Sequence, residues 1–224
     1  MKKIVLILII ALTVVATGHT QQSDFRKEFA MGISAGTTFS SVSFRPKVPQ
    51  GMLMGLTGGV TFRWLTEKNL GLQAEINYTQ QGWKEDFSES SDPSAGYKYS
   101  RTMNYVELPF LTHIYFGSDR ARFFINLGPK IGYMLSESTS QNLNGAEPHT
   151  TNEQHDMPAE YKFDWGLCGG PGFELRTGIG SFLLEGRYYY ALGNIYGRKK
   201  SDFFAMSSQQ VIAVKLTYLI PLIK

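Results

Sequence analysis

Few side chains in this 224-residue sequence have the type and spacing that chemistry needs. The richest stretch is His149-Thr-Thr-Asn-Glu153-Gln-His155-Asp156, with two imidazoles and two carboxylates. Such a set could ligate a metal, but ligands at this spacing on a loop are not diagnostic, and a solvated polar loop is the expectation. His113 lies on an alternating segment near Glu107, a base beside an acid. No Gly-x-Ser-x-Gly accompanies it, so a hydrogen bond inside the fold is expected instead. Gly169-Gly-Pro-Gly172 lacks the Lys-Ser/Thr of a phosphate loop. The single cysteine, Cys168, excludes an intrachain disulfide framework and a cysteine-based zinc cluster. Arg198, Lys199 and Lys200, beside Tyr196, Phe203 and Phe204, could touch lipopolysaccharide phosphates or a partner protein. No catalytic residue, metal or cofactor is expected.

The other ionisable residues of note share one face of alternating segments. They are Arg63, Glu75, Glu107, Lys130, Asp164, Glu174, Arg176, Glu185, Arg187 and Lys215, five basic and five acidic. A buried charge must be paired, and this balance permits it. If the hairpin centred near Asp119 is regular, residues whose numbers sum to about 237 lie opposite one another, which pairs Glu107 with Lys130. The same reasoning sets Glu185 and Arg187 beside Gly170 and Gly172, where there is room for long side chains. A polar network that fills and rigidifies the interior is expected, rather than an ion path.

The elements that must position these residues are strands. From Phe29 to Phe39 the odd positions are mostly apolar and the even positions small, a period of two. The pattern recurs over 53–64, 70–81, 103–116, 122–135, 162–176, 181–192 and 209–220, making eight strands. The long connections are 40–52, 84–102, 136–161 and 193–208; the short ones are 65–69, 117–121 and 177–180. Antiparallel strands with alternating connections put every long loop at one end, as in outer-membrane barrels. Pro109, Pro129 and Pro171 fall inside strands, donate nothing to a ladder, and are expected to mark bulges or local widening.

Residues 1–20 have Lys2 and Lys3, an apolar run from Ile4 to Ala16 and small residues at the end. That is the layout of a cleaved signal peptide, and it is too short to span a bilayer as a helix. The domain expected after it is 21–224. Without the two leader lysines the 22 basic residues fall to 20 against 19 acidic, a net of +1. A nucleic-acid partner, which needs a clustered basic face, is not expected.

Periodicity alone does not separate a membrane barrel from a soluble one. The polar face decides: it is mostly Gly, Ser, Thr, Asn and Gln, suited to the crowded interior of eight strands. The apolar face is aromatic at both ends. Trp64, Phe116 and Tyr218 lie toward the short turns; Tyr78, Tyr133, Trp165 and Tyr188 lie toward the long loops. Two such belts match the interfacial girdles of membrane barrels. The fold class expected is all-β, an eight-stranded antiparallel up-and-down transmembrane β-barrel.

Four stretches carry a family resemblance: Asn104–Gly117 (NYVELPFLTHIYFG), Phe123–Leu135 (FFINLGPKIGYML), Phe163–Leu175 (FDWGLCGGPGFEL) and Leu183–Ile195 (LLEGRYYYALGNI). In Tyr105, Glu107, Leu108 and Pro109, in Gly128, Pro129, Gly132 and Tyr133, and in Arg187, Tyr188 and Asn194, the chain resembles the PorT-type outer-membrane β-barrel family of Gram-negative bacteria. The resemblance implies the outer membrane of the cell envelope and no catalytic residues. It leads to a structural or binding role through long extracellular loops around a plugged lumen. Two alternatives stand beside it: an accessory of a secretion system for surface proteins, and a lipid-modifying enzyme at the rim. The partners expected are outer-membrane lipid and lipopolysaccharide, with envelope or secretion proteins at loops 136–161 and 193–208. The barrel is expected to be a monomer.

Overall fold

Period-two alternation becomes eight antiparallel strands in the computed structural model, which describes residues 26–86, 98–142, 155, 157–197 and 203–223. The leader 1–20, His149, Glu153, Asp156 and Arg198 to Lys200 lie outside the described residues. The strands are β1 (Glu28–Arg45), β2 (Leu53–Glu67), β3 (Leu70–Asp86), β4 (Lys98–Gly117), β5 (Ala121–Asn142), β6 (Phe163–Thr177), β7 (Gly180–Ala191) and β8 (Met206–Ile223). Each pairs with the next, and β8 returns to β1 along Phe29–Arg45, closing the barrel. At one end the turns are tight. Asn69 closes the β2–β3 turn at φ 70°, a left-handed conformation that asparagine tolerates. Gly117 takes φ 128° just before the β4–β5 turn, where a side chain would be strained.

Several strands outrun the alternation. β1 continues to Arg45, β3 to Asp86 and β5 to Asn142, while β4 begins at Lys98 and β8 at Met206. Hydropathy alternates only where one face meets an apolar surface. The ladder continues wherever a neighbouring strand offers hydrogen bonds, so the extensions read as polar loops in sequence.

The prolines shift no register, but each opens the ladder locally, the widening that was expected. The β3–β4 pairing lapses between Ala74–Phe110 and Asn77–Glu107, the β4–β5 pairing between Pro109–Lys130 and Thr112–Leu127, and the β6–β7 pairing between Gly169–Tyr188 and Gly172–Glu185. The β4–β5 register runs unchanged past Pro109 and Pro129, and Pro171 sits in register opposite Ile125. Register shifts fall instead between Phe29 and Ala30, opposite Pro221, between Leu65 and Glu67, and between Asn104 and Tyr105. The β4–β5 register also differs from the expected one. Glu107 faces Gly132 and Lys130 faces Pro109, a slip of two residues, because the turn is tighter and centred later than Asp119 implied. A two-residue slip keeps every side chain on its face.

The outward face is an apolar band. From Phe182 to Leu192 the outward residues span about 25 Å along the barrel axis at a rise of about 3.3 Å and a tilt near 40°. Inside, two apolar layers bracket a polar one. Ala30, Leu65, Tyr115, Phe124, Leu183 and Leu219 pack near the short turns. Val42, Phe44, Trp83, Tyr99, Met103, Tyr196 and Phe204 pack at the opposite mouth.

Candidate functional site: the barrel interior and its mouth

Inward positions on β2, β3, β6, β7 and β8 converge on the axis because alternate residues of each strand must point there. Arg63 and Glu174, both fully buried, form a two-point ion pair at 3.0 and 2.9 Å. Arg63 also stands 3.8 Å from Glu28, which is paired with Arg176. Glu75 is the hub of the next layer. It accepts hydrogen bonds from Arg187 at 2.9 and 2.8 Å, Lys215 at 2.6 Å, Gln73 at 2.7 Å and Asn77 at 2.7 Å. Arg187 simultaneously donates to Glu185 at 2.9 and 2.8 Å. Charge-assisted, two-point bonds of this kind are the stronger class of hydrogen bond and fix geometry.

Nearer the mouth, Lys130 pairs with Glu107 diagonally across the β4–β5 ladder, and Thr79 donates to Glu107 at 3.0 Å. The Lys130 ammonium lies 3.3 Å from the centre of the Tyr189 ring, whose hydroxyl donates to Asp164 at 2.8 Å. A cavity of about 30 Å³ lies among Asn77, Glu107, Lys130, Arg187, Tyr189 and Lys215, room for about one water molecule.

Three details differ from the sequence reading. His113 is buried and bonded to Asn126 at 2.8 Å rather than set against Glu107, whose oxygens are taken by Lys130 and Thr79. Their separation of six residues puts them at different levels of the barrel. Gly172 does lie opposite Glu185, but the space beside it belongs to Phe124: a Cβ there would come within 2.2 Å of the ring. The long chains of Glu185 and Arg187 instead reach the axis. The inward charges also number more than ten. Glu28, Glu85, Arg101 and Arg122 are buried too. Glu85 and Arg101 were missed because they sit on strand extensions that read as loop 84–102, and Glu28 because it precedes the first alternating residue. For Arg122, the parity it shares with Asn126 and Lys130 was the usable signal.

At the mouth, several described side chains pack against one another. Arg101 donates to the Met157 carbonyl at 2.6 Å and to the Tyr196 hydroxyl at 2.8 Å, and lies 5.5 Å from the centre of the Trp83 ring. His155 pairs with Glu85 at 2.8 Å and stacks on Tyr99 at 3.8 Å. Tyr196 and Phe204, read as part of a loop that could touch lipopolysaccharide or a partner, are buried against Phe44, while Phe203 stays exposed. That burial pushes the Tyr196 phenol above its ordinary range, so it remains protonated. Among the described residues, no three His, Cys, Asp or Glu side chains gather as a metal site.

Outside, Trp64, Tyr78, Phe116, Tyr133, Trp165 and Tyr188 are exposed. Tyr218 is half-buried and donates its hydroxyl to the Ile179 carbonyl at 2.6 Å. Phe29 and Trp64 pair with ring centres 4.8 Å apart near the short turns, as do Phe182 and Tyr218 at 5.0 Å. Tyr78, Val106, Tyr133 and Phe163 are successive ladder partners toward the other end.

A closed ring of strands with an apolar band outside and paired charges inside defines a transmembrane β-barrel, since lipid offers no partner to an open sheet edge. A family model matches residues 20–197, and the chain belongs to that family, the outer membrane protein beta-barrel domain. Its location is accordingly the outer membrane. Among solved structures, the chain is similar to Ail, the attachment invasion locus protein of Yersinia pestis, at 12% identity and TM-score 0.42, covering 86% of this chain and 99% of that one. Neisserial surface protein A matches at 12% identity and TM-score 0.39, covering 87% and 99%. Outer membrane protein W of E. coli matches at 14% identity and TM-score 0.37, covering 88% and 99%. No curated protein matches the sequence.

Proposed function

We propose that this protein is a closed-lumen outer-membrane barrel of PorT type that serves a structural or binding role through the end bearing its long connections. That end faces the cell exterior, where it meets lipopolysaccharide and envelope proteins, and the barrel works as a monomer without catalysis. The observation that carries the reading is the interior itself. Polar layers of paired charges lie between two apolar layers, and the cavity among Asn77, Glu107, Lys130 and Arg187 holds about one water. A conduction path would need a continuous wet lumen, which barrels of this strand number scarcely have room for. The reading without catalysis is supported by His113, the one candidate base inside the strands, which is fully buried and bonded to Asn126.

Planar-bilayer recording tests the closed lumen. The purified protein should give no steady single-channel current; large, stable openings would refute it. The stretches resembling the PorT-type family favour a second reading, an accessory of surface-protein secretion. Gene deletion separates the two: accumulation of surface cargo in the periplasm supports the secretion role, and normal export supports the binding role.

A further inference from the structure

At the long-connection end the strands stop at different heights, so four stretches of strand edge outlast a barrel neighbour by four residues or more. Three of them are closed by specific contacts. On β1, the Gln50 side-chain amide stands in for a neighbouring strand at Val42, accepting its N–H at 3.0 Å and donating to its carbonyl. On β3, the Gln80 carbonyl accepts from Thr38 Oγ1 at 2.6 Å, the Gly82 N–H donates to Ser40 Oγ at 2.8 Å, and the Lys84 carbonyl accepts from the Gly51 N–H at 2.8 Å. On β8, the Ser207 carbonyl accepts from the Ile195 N–H at 3.0 Å, the Ser207 N–H donates to Asn194 Oδ1 at 2.7 Å, and Ser208 Oγ donates to the Gly193 carbonyl at 3.1 Å.

The fourth edge, on β5, has no such closing contact among the described residues. Its last pair with β6 is Tyr133 with Phe163, and the Met134 N–H still donates to the Lys162 carbonyl at 2.8 Å. Above that point, Ser136 to Gln141 ladder with Asn104 to Tyr99 on one side. On the other side, no backbone partner is present among the described residues. Apart from Glu137, which pairs with Arg101 and accepts the Ala159 N–H at 3.3 Å, every side chain of Ser136 to Gln141 is exposed. The stretch has no proline, no lysine and a single charge, which is unusual, because natural edges are normally blunted by such residues. It runs about 17 Å.

A row of backbone N–H and C=O groups at strand spacing is matched by another extended backbone. We propose that the Ser136–Gln141 edge is a docking site at which an extended segment of a partner protein adds to β5 as a further strand. The assignment rests on the reading that the long-connection end faces outward and binds. Hydroxyl and amide side chains flank the edge, so it fits a polar segment rich in serine or threonine. A second copy in the same membrane does not fit. A two-fold axis along the membrane normal would bring two rising, oppositely tilted β5 strands together, and these cross rather than align.

The test uses the full-length protein in lipid nanodiscs with the peptide Lys-Tyr-Ser-Arg-Thr-Met-Asn, a copy of Lys98–Asn104, which already ladders on the other edge of β5. Amide hydrogen exchange is read residue by residue. With peptide in the millimolar range, every second amide between Ser136 and Gln141 should slow about tenfold or more. The same peptide carrying proline at its central position should slow none. Ser138→Pro and Thr139→Pro separate the two edges of the strand, since adjacent N–H groups point opposite ways. One variant should keep its heat-dependent gel shift and lose the protection; the other strikes the β4 ladder. No slowing in the wild type, equal slowing by the proline peptide, or protection that survives in the folded variant would each overturn the assignment. A silent barrel without peptide protection loses this edge alone, whereas a conducting barrel refutes the closed lumen and leaves the edge standing.

Discussion

Replacing Glu75 with leucine removes the acceptor for four side chains at once: Arg187, Lys215, Gln73 and Asn77. Arg187 keeps Glu185, at 2.9 and 2.8 Å. Lys215 faces Glu185 across the β7–β8 ladder, but Glu185 already balances Arg187, so one buried positive charge is left uncompensated. Breaking a buried ion pair by removing one partner costs about 3–5 kcal/mol, mostly the penalty of the stranded charge. Removing that charge as well, with Lys215→Met, leaves the Glu185–Arg187 pair neutral. The double variant should therefore recover to within about 1–2 kcal/mol of wild type, a coupling of roughly 2 kcal/mol or more. Equilibrium urea unfolding in lipid vesicles, followed by tryptophan emission and gel mobility, measures both. With a denaturant slope near 2 kcal/mol/M, the single variant should lower the midpoint by about 1.5–2.5 M, and the double by less than 1 M. A single variant costing under about 1 kcal/mol, or additive losses in the double, would refute the view of this layer as a charge-balanced unit.

Gly172→Ala should destabilise by about 1–3 kcal/mol, because its Cβ would meet the Phe124 ring at 2.2 Å. Adding Phe124→Leu should restore part of the loss in the same unfolding assay, the rest remaining because the Leu184 carbonyl oxygen lies 2.8 Å from that Cβ. Arg101→Ala removes donors to the Met157 carbonyl and the Tyr196 hydroxyl. Bonds of that kind contribute about 1.5–3 kcal/mol each, so limited proteolysis near Met157 should quicken tenfold or more while the midpoint of barrel unfolding barely moves. The three tryptophans differ in what they face: Trp64 and Trp165 are about 45% exposed, and Trp83 is fully buried. Brominated lipid should quench emission from the first two, and a Trp64→Phe/Trp165→Phe variant should be insensitive to it. Strong quenching of that variant would place Trp83, and the mouth around it, against lipid.

Much of the barrel was legible because its two faces meet different surroundings. Residues such as Ile125, Leu127 and Ile131 alternate with Asn126 and Lys130, and a period of two follows wherever one side touches an apolar medium and the other a packed interior. Beyond that medium the constraint lifts. Ser136 to Asn142 have no alternation at all, yet they continue β5 because β4 supplies the ladder. The same loss of signal hid Glu85 and Arg101, and with them their contacts to His155, Met157 and Tyr196. Proline signalled the local opening of the ladder but no change of register. Pro109 and Pro171 occupy positions whose missing N–H does not shift the register, whereas the slip opposite Pro221 gave no separate sign.

The sequence by itself determined strand number, topology, the inward and outward face of each strand and the near-neutral charge of the interior. All of these follow from period, parity and composition, which are local. Only the tertiary structure decided which charges meet. Arg63 finds Glu174 at a separation of 111 residues and Arg187 finds Glu75 at 112, distances at which no local rule operates. The closure of β8 on β1 and the tilt of the strands bring them to one height. Likewise, the burial of Tyr196 and Phe204 and the β5 edge above Tyr133 depend on where each strand ends relative to its neighbours. That is set by shear around the whole barrel, a quantity no single segment contains.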